Sequence, residues 1–242
     1  MARGAAGWLT ALALAATACL APPPPVAEPP AVTAGAGGSA AQPPVAVTVR
    51  ADSLERAARE LTVRVRASGC GGVATGSGFA IAGRALVTNR HVVANASDIQ
   101  VNTWDGRSLN AAVSRVAYDT DLALVVVDGE LPLAGTLAPG DARPGGQVMV
   151  AGFPRGGQQI VAEGNILDYV VGANLGNSTK VMRLSTTVQP GSSGGPVIDQ
   201  RGEVAGIVYA IELASHRALA IPASSVRSLL REELTAPPAL AC

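Results

Sequence analysis

Gln189-Pro190-Gly191-Ser192-Ser193-Gly194-Gly195-Pro196, followed by Val197-Ile198-Asp199, decides how this chain folds. Three glycines and two prolines in eight residues continue neither a helix nor a ladder strand, so the backbone here is a tight turn with φ values that glycine adopts cheaply. Ser193 is left at its apex. The flanking glycines let main-chain N–H groups point into the space beside the hydroxyl, the arrangement that binds a developing oxyanion. The same composition also makes soft linkers, but a linker does not sit between apolar strands. Met182 to Val188 leads in, and Pro196 to Tyr209 leads out as strand, Asp199-Gln200-Arg201-Gly202 turn, strand.

Outward from that loop the chain keeps a β rhythm. Thr62-Val63-Arg64-Val65-Arg66 alternates with period two, after a run of helix formers from Asp52 to Leu61. Short apolar segments come next at 76–81, 85–89, 99–102, 109–113 and 122–127, divided by glycine, asparagine and aspartate turns. A proline- and glycine-rich break at 139–146 precedes a second set at 147–153, 158–164, around Ser193 and at 217–221. With no helices interleaved, the pattern predicts an all-β chain of two successive barrel or sandwich units. Pro222 to Leu234 closes it as a helix with Val226, Leu229, Leu230 and Leu234 on one face, expected to pack against a barrel.

A serine hydroxyl becomes a nucleophile when a positioned base takes its proton, and histidine suits that task near neutral pH. The chain has two histidines. His91 follows the strand ending Val87-Thr88-Asn89, where a side chain can face a cleft, whereas His216 lies in the polar run Ala214-Ser215-His216-Arg217 of an exposed hairpin turn. His91 is the candidate base. A carboxylate must then hold the imidazole, and Asp121, opening the apolar run Leu122 to Val127, is favoured over Asp119, although either could simply make the turn.

Composition bounds the partners. Lysine plus arginine and aspartate plus glutamate balance at 18 each, with no basic block, so nucleic acid is not expected. Residues 1–18 carry Arg3, an apolar run from Trp8 to Ala15, then Ala16-Thr17-Ala18 before Cys19. The run is too short to span a bilayer and ends in a small-residue site, so it reads as a secretory signal. Ala-Thr-Ala-Cys also resembles a bacterial lipobox, which would make Cys19 a lipidated first residue and the only membrane attachment; ordinary secretion is the alternative. Residues 19–47 then form a proline- and alanine-rich stalk that cannot bury a core. Cys70 and Cys242 are candidates for one disulfide in an oxidising compartment, the alternative being two unpaired thiols.

Thr75-Gly76-Ser77-Gly78-Phe79, Leu86-Val87-Thr88-Asn89-Arg90-His91-Val92-Val93, Asp119-Thr120-Asp121-Leu122-Ala123-Leu124 and Gly191 to Pro196 stand in the order and spacing of the trypsin-like serine proteases. The chain resembles their HtrA-type bacterial branch over roughly residues 60–235. In its leading helix, its cysteine pair and its stop after the protease unit it resembles more narrowly the mycobacterial acid-resistance periplasmic serine proteases. The resemblance implies two consecutive six-stranded antiparallel β-barrels with a short N-terminal helix and a C-terminal helix, the first barrel in 48–140 and the second in 141–242. It implies polypeptide substrates, no cofactor and no metal, with Ser193 as nucleophile, His91 as base and Asp121 as its orienting carboxylate. It places the oxyanion hole at the N–H groups of Gly191 and Ser193, and a primary specificity pocket at Thr187, Tyr209, Ala210 and Ile211, none of them acidic, so an apolar side chain is expected before the cut. Ser192 replaces the aspartate that many secreted members use for zymogen activation, and no PDZ domain of the kind usual in HtrA proteins is read behind the protease unit, so neither that activation nor trimer assembly is expected to carry over.

Two other readings compete. Gly191-x-Ser193-x-Gly195 also fits the nucleophile elbow of an α/β-hydrolase, with Asp199 and His216 completing the set. The second is a binding module on the protease scaffold whose loops no longer align a working site.

Overall fold

A computed structural model describes residues 53–172, 175 and 179–231. The signal peptide at 1–18, Cys19, the stalk at 19–47, Cys242 and the end of the C-terminal helix past Arg231 lie outside the described residues.

Among the described residues twelve strands form two closed antiparallel barrels of six, in the orders β1-β2-β3-β6-β5-β4 and β10-β11-β12-β9-β8-β7. The first comprises β1 (Thr62–Gly69), β2 (Gly72–Ala82), β3 (Ala85–Asn89), β4 (Asp98–Asn102), β5 (Ser108–Ala117) and β6 (Leu122–Val127). The second comprises β7 (Gln147–Gly152), β8 (Ile160–Val171), β9 (Lys180–Thr187), β10 (Pro196–Asp199), β11 (Val204–Ile211) and β12 (Arg217–Pro222). Closure removes the sheet edges that would otherwise expose unpaired main chain.

Alternation puts the right side chains inside. On β1, Val63, Val65 and Ala67 are buried while Arg66 faces solvent. They meet Phe79, Leu86, Leu122 and Val125 in the first core. Val148, Val150, Ile166, Met182, Leu184 and Val197 fill the second. Because aromatics make up only 3% of the chain, these cores are filled mostly by aliphatic side chains, each large one contributing about 1.5–3 kcal/mol on burial.

Two helices strap the barrels together. The helix α1 (Leu54–Leu61) buries Ala57, Ala58 and Leu61 and ends where Thr62 Oγ1 donates to the Ala58 carbonyl at 2.6 Å. It precedes the first barrel yet also packs on β7, β8 and β10 of the second. The C-terminal helix, α3 (Ala223–Arg231), buries Val226 and Leu229 against β5 and β6 of the first barrel as well as β11 and β12 of the second. It packs against a barrel, as the sequence predicts, and touches the other as well. A continuous apolar cluster therefore runs from Val63 through Ile207 and Tyr209 to Leu229. Cys70 is exposed in the β1–β2 turn, and its expected partner Cys242 lies outside the described residues. Among the described residues no helix is long and apolar enough to cross a membrane.

Candidate active site

His91 sits one residue into α2 (Arg90–Val93), a single turn that starts where β3 ends. Val92 and Val93 are buried and pin that turn to the barrel, while the imidazole remains 46% exposed at the cleft. Asn89, fully buried, donates from Nδ2 to the Asp121 carbonyl at 3.1 Å, and the Arg90 N–H donates to the same oxygen at 2.8 Å. These bonds join the start of β6 to the histidine turn.

Asp121 has φ +52°, a left-handed conformation that aspartate tolerates better than most residues. From there its carboxylate reaches His91 twice: Oδ1 accepts the main-chain N–H at 3.0 Å and Oδ2 contacts Nδ1 at 2.5 Å. A carboxylate only accepts, so the shared proton belongs to Nδ1, and in the neutral ring Nε2 is the acceptor. Arg90 Nε stands 3.7 Å from Oδ1, with its guanidinium 5.0 Å from the Tyr118 ring centroid. Asp119 is exposed, and its carbonyl, not its carboxylate, takes a bond from Thr179. The structure thus gives His91 to Asp121.

The nucleophile loop is held from both barrels. Ser77 of β2, fully buried, donates its N–H to the Ser193 carbonyl at 2.7 Å and its Oγ to the Gly191 carbonyl at 2.8 Å. The same hydroxyl accepts the Phe153 N–H at 2.9 Å. Gly194, at φ +90°, lies so close to β2 that an added Cβ would stand 1.9 Å from the Ser77 carbonyl oxygen. Among the described residues neither the Gly191 N–H nor the Ser193 N–H has an acceptor. Ser193 Oγ donates to the Tyr209 carbonyl at 3.5 Å, a weak bond, and no hydrogen bond joins it to His91.

A cleft of about 790 Å³ opens beside this set, lined by His91 and Asp121 on one side and by Tyr209, Ala210, Ile211 and Leu219 on the other. Thr187, at the end of β9 and exposed, does not line it. Glu212 does, and the sequence had not singled it out. The Ser215 hydroxyl and then the Arg183 guanidinium hold its carboxyl below the usual range, so the negative charge is matched within the wall. Ser77 is the other residue missed: it stood in a recognised motif, but its partners lie 76 and 114 positions away.

The hydrolase elbow fails on geometry. Asp199 accepts the N–H groups of Arg201 and Glu203 and so organises the β10–β11 turn. His216, exposed at φ +57°, closes the β11–β12 hairpin through its N–H to Glu212. From Pro196 onward the chain is a strand, where that fold requires a helix.

Residues 76–207 match the family described as Trypsin-like peptidase domain. Serine protease HTRA1A of Danio rerio is 34% identical over 179 residues, covering 66% of this chain and 35% of that protein. A probable periplasmic serine endoprotease, DegP-like, of Pseudomonas putida is 40% identical over 139 residues, covering 54% of this chain and 28% of that protein. The chain thus spans about a third of the length of these relatives. Among solved structures, the active form of the Rv3671c protease from M. tuberculosis superposes with a TM-score of 0.70 at 27% identity, covering 77% of this chain and 86% of that one. The HtrA-type protease AlgW with a tripeptide gives 0.69 at 26% identity, covering 76% and 63%.

Proposed function

The chain belongs to the trypsin-like peptidases, in their HtrA-type branch, and from that premise we propose that it is an exported serine endopeptidase acting through Ser193, His91 and Asp121. The observation that carries this reading is the His91–Asp121 pair at the cleft, facing a loop whose Gly191 and Ser193 N–H groups are unengaged. In the reaction Ser193 turns off the Tyr209 carbonyl and attacks the scissile carbonyl carbon as His91 Nε2 removes its proton. Asp121 keeps the imidazole in the accepting tautomer and stabilises the imidazolium that forms. The two free N–H groups receive the oxyanion, each worth roughly 2.7–4 kcal/mol in the transition state. His91 then protonates the leaving amine, an acyl-enzyme on Ser193 remains, and water repeats the sequence to release the acid.

The periplasmic names of the DegP-like relatives support export, and an exported protease meets polypeptides of the cell envelope as its substrates, in quality control or processing. The same proposal includes lipidation of Cys19, which holds the enzyme at the outer face of the cell membrane, and pairing of Cys70 with Cys242. A diacylglyceryl mass on the mature N-terminal peptide and a Cys70–Cys242 cross-linked peptide would bear these out; an unmodified N-terminus or a free Cys242 thiol would remove each.

Casein hydrolysis followed by gel, with the Ser193→Ala protein alongside, tests the activity. Cleavage by the parent alone supports it. A parent that neither cuts casein nor reacts with a labelled fluorophosphonate returns the fold to the role of a binding module.

A further inference from the structure

A second groove, of about 390 Å³, carries three arginines: Arg64, Arg66 and Arg155. Register places them. Arg66 stands opposite Thr75 of β2 and Gln100 of β4, and Arg64 opposite Asn102, so Arg64 and Arg66 project from one face of the sheet. Arg155, at φ +53°, closes the other wall, where Arg64 Nη1 donates to the Gly156 carbonyl at 3.1 Å. Arg64 otherwise bonds the neutral Asn102. No acidic residue lines the groove, and none of the three guanidiniums has a carboxylate partner among the described residues. The concentration is local, because the chain as a whole carries no net charge.

The groove adjoins the nucleophile loop through the main chain. The Arg155 N–H donates to the Pro190 carbonyl at 2.7 Å, and a Cβ on Gly191 would meet that same nitrogen at 2.6 Å. Thr75 lies two residues from Ser77, whose N–H holds the Ser193 carbonyl. Arg155 and Thr75 therefore offer a route for the leaving half of a chain whose acyl half rests against Tyr209 to Ile211.

We propose that this groove is a subsite for the leaving half of the substrate and selects aspartate or glutamate beyond the scissile bond. This rests on the protease reading above. An extended peptide repeats its side-chain direction every second residue, about 6.6 Å, which is also the spacing of Arg64 and Arg66 along β1. Guanidiniums pair bidentately with carboxylates, and at such exposure each pair changes binding by up to about fivefold.

Internally quenched peptides spanning the casein bond that the full protein cuts best, with aspartate, asparagine or lysine in the four positions after the cut, provide the test. The expected order of kcat/KM is aspartate above asparagine above lysine, with an aspartate-to-asparagine ratio of about fivefold that shrinks as salt is raised. In Arg66→Glu protein the lysine peptides should overtake the aspartate ones. Equal rates for the three peptides in the parent, or an order left unchanged by Arg66→Glu, overturn the subsite while the protease stands. Cleavage of neither casein nor any peptide overturns both.

Discussion

The main-chain N–H of Ser77 donates to the carbonyl oxygen of Ser193 across 2.7 Å, joining a strand of the first barrel to the apex of the second barrel's loop. Each barrel holds half of the site, and the geometry between the halves depends on bonds of this kind.

Ser77→Ala removes the hydroxyl that serves the Gly191 carbonyl and the Phe153 N–H at once. Leaving buried polar groups unpaired costs about 1–3 kcal/mol. The expected outcome is a lowered unfolding midpoint together with a fall in kcat larger than any change in KM, because the loop that receives the oxyanion is loosened. Unchanged kcat in a folded variant would refute the role given to Ser77.

Gly194→Ala should yield no reactive protein. A Cβ there collides with main chain at 1.9 Å and the residue holds φ +90°, so neither rotamer change nor side-chain movement relieves the clash. Gly71→Ala, where a Cβ meets nothing within 4 Å, is the control. Fluorophosphonate labelling of soluble protein reads both; labelled Gly194→Ala protein at parental levels would contradict the packing described.

Asp121→Asn preserves shape but lets the amide donate to Nδ1, reversing the tautomer. A fall in kcat of about 10⁴, the loss this exchange causes in the type enzyme, is expected. His216→Ala, on the exposed hairpin, should retain parental kcat/KM on casein-derived peptides; a collapse there would return attention to the second histidine.

Peptides varied at the residue before the cut should favour leucine or phenylalanine over arginine, because Tyr209, Ala210, Ile211 and Leu219 line the cleft and the Glu212 charge is matched by Arg183. Preferred cleavage after arginine would mean that Glu212 faces the substrate instead.

Tyr169 is pushed up to about 12, first by burial and then by the charge of Asp141, and its hydroxyl donates to the Ala142 carbonyl at 2.6 Å. The folded state keeps that proton longer than the unfolded chain, whose tyrosines titrate near 10. Its contribution is therefore whole below pH 10 and fades between 10 and about 12. Tyr169→Phe should cost about 1 kcal/mol at neutral pH, and its deficit against the parent should shrink across that window in urea titrations. A deficit that stays constant from pH 9 to 12 would exclude the linkage.

Much of the fold is legible locally. The alternation of Val63 and Val65 with Arg64 and Arg66 predicts β1 and its faces, and the segments read at 85–89 and 122–127 coincide with β3 and β6. Some elements escaped in part: β5, read as ending at Val113, continues to Ala117 past a register shift between Val113 and Arg115. The strand read as ending at Gly164 continues to Val171, because a register shift between Ile166 and Asp168 breaks the period-two pattern there. The turn α2 has four residues, too few for a helical period to show.

The loop around Ser193 takes its shape from its own residues, since glycine and proline act on the backbone where they stand. The grip of both Asp121 carboxylate oxygens on His91, Ser77 as the clasp of the loop, and the meeting of Arg64 and Arg155 in one groove do not arise that way. Each depends on groups dozens of residues apart brought within a few ångströms by barrel closure, and hydrogen bonding and sterics act over those few ångströms in space, which sequence order alone does not measure.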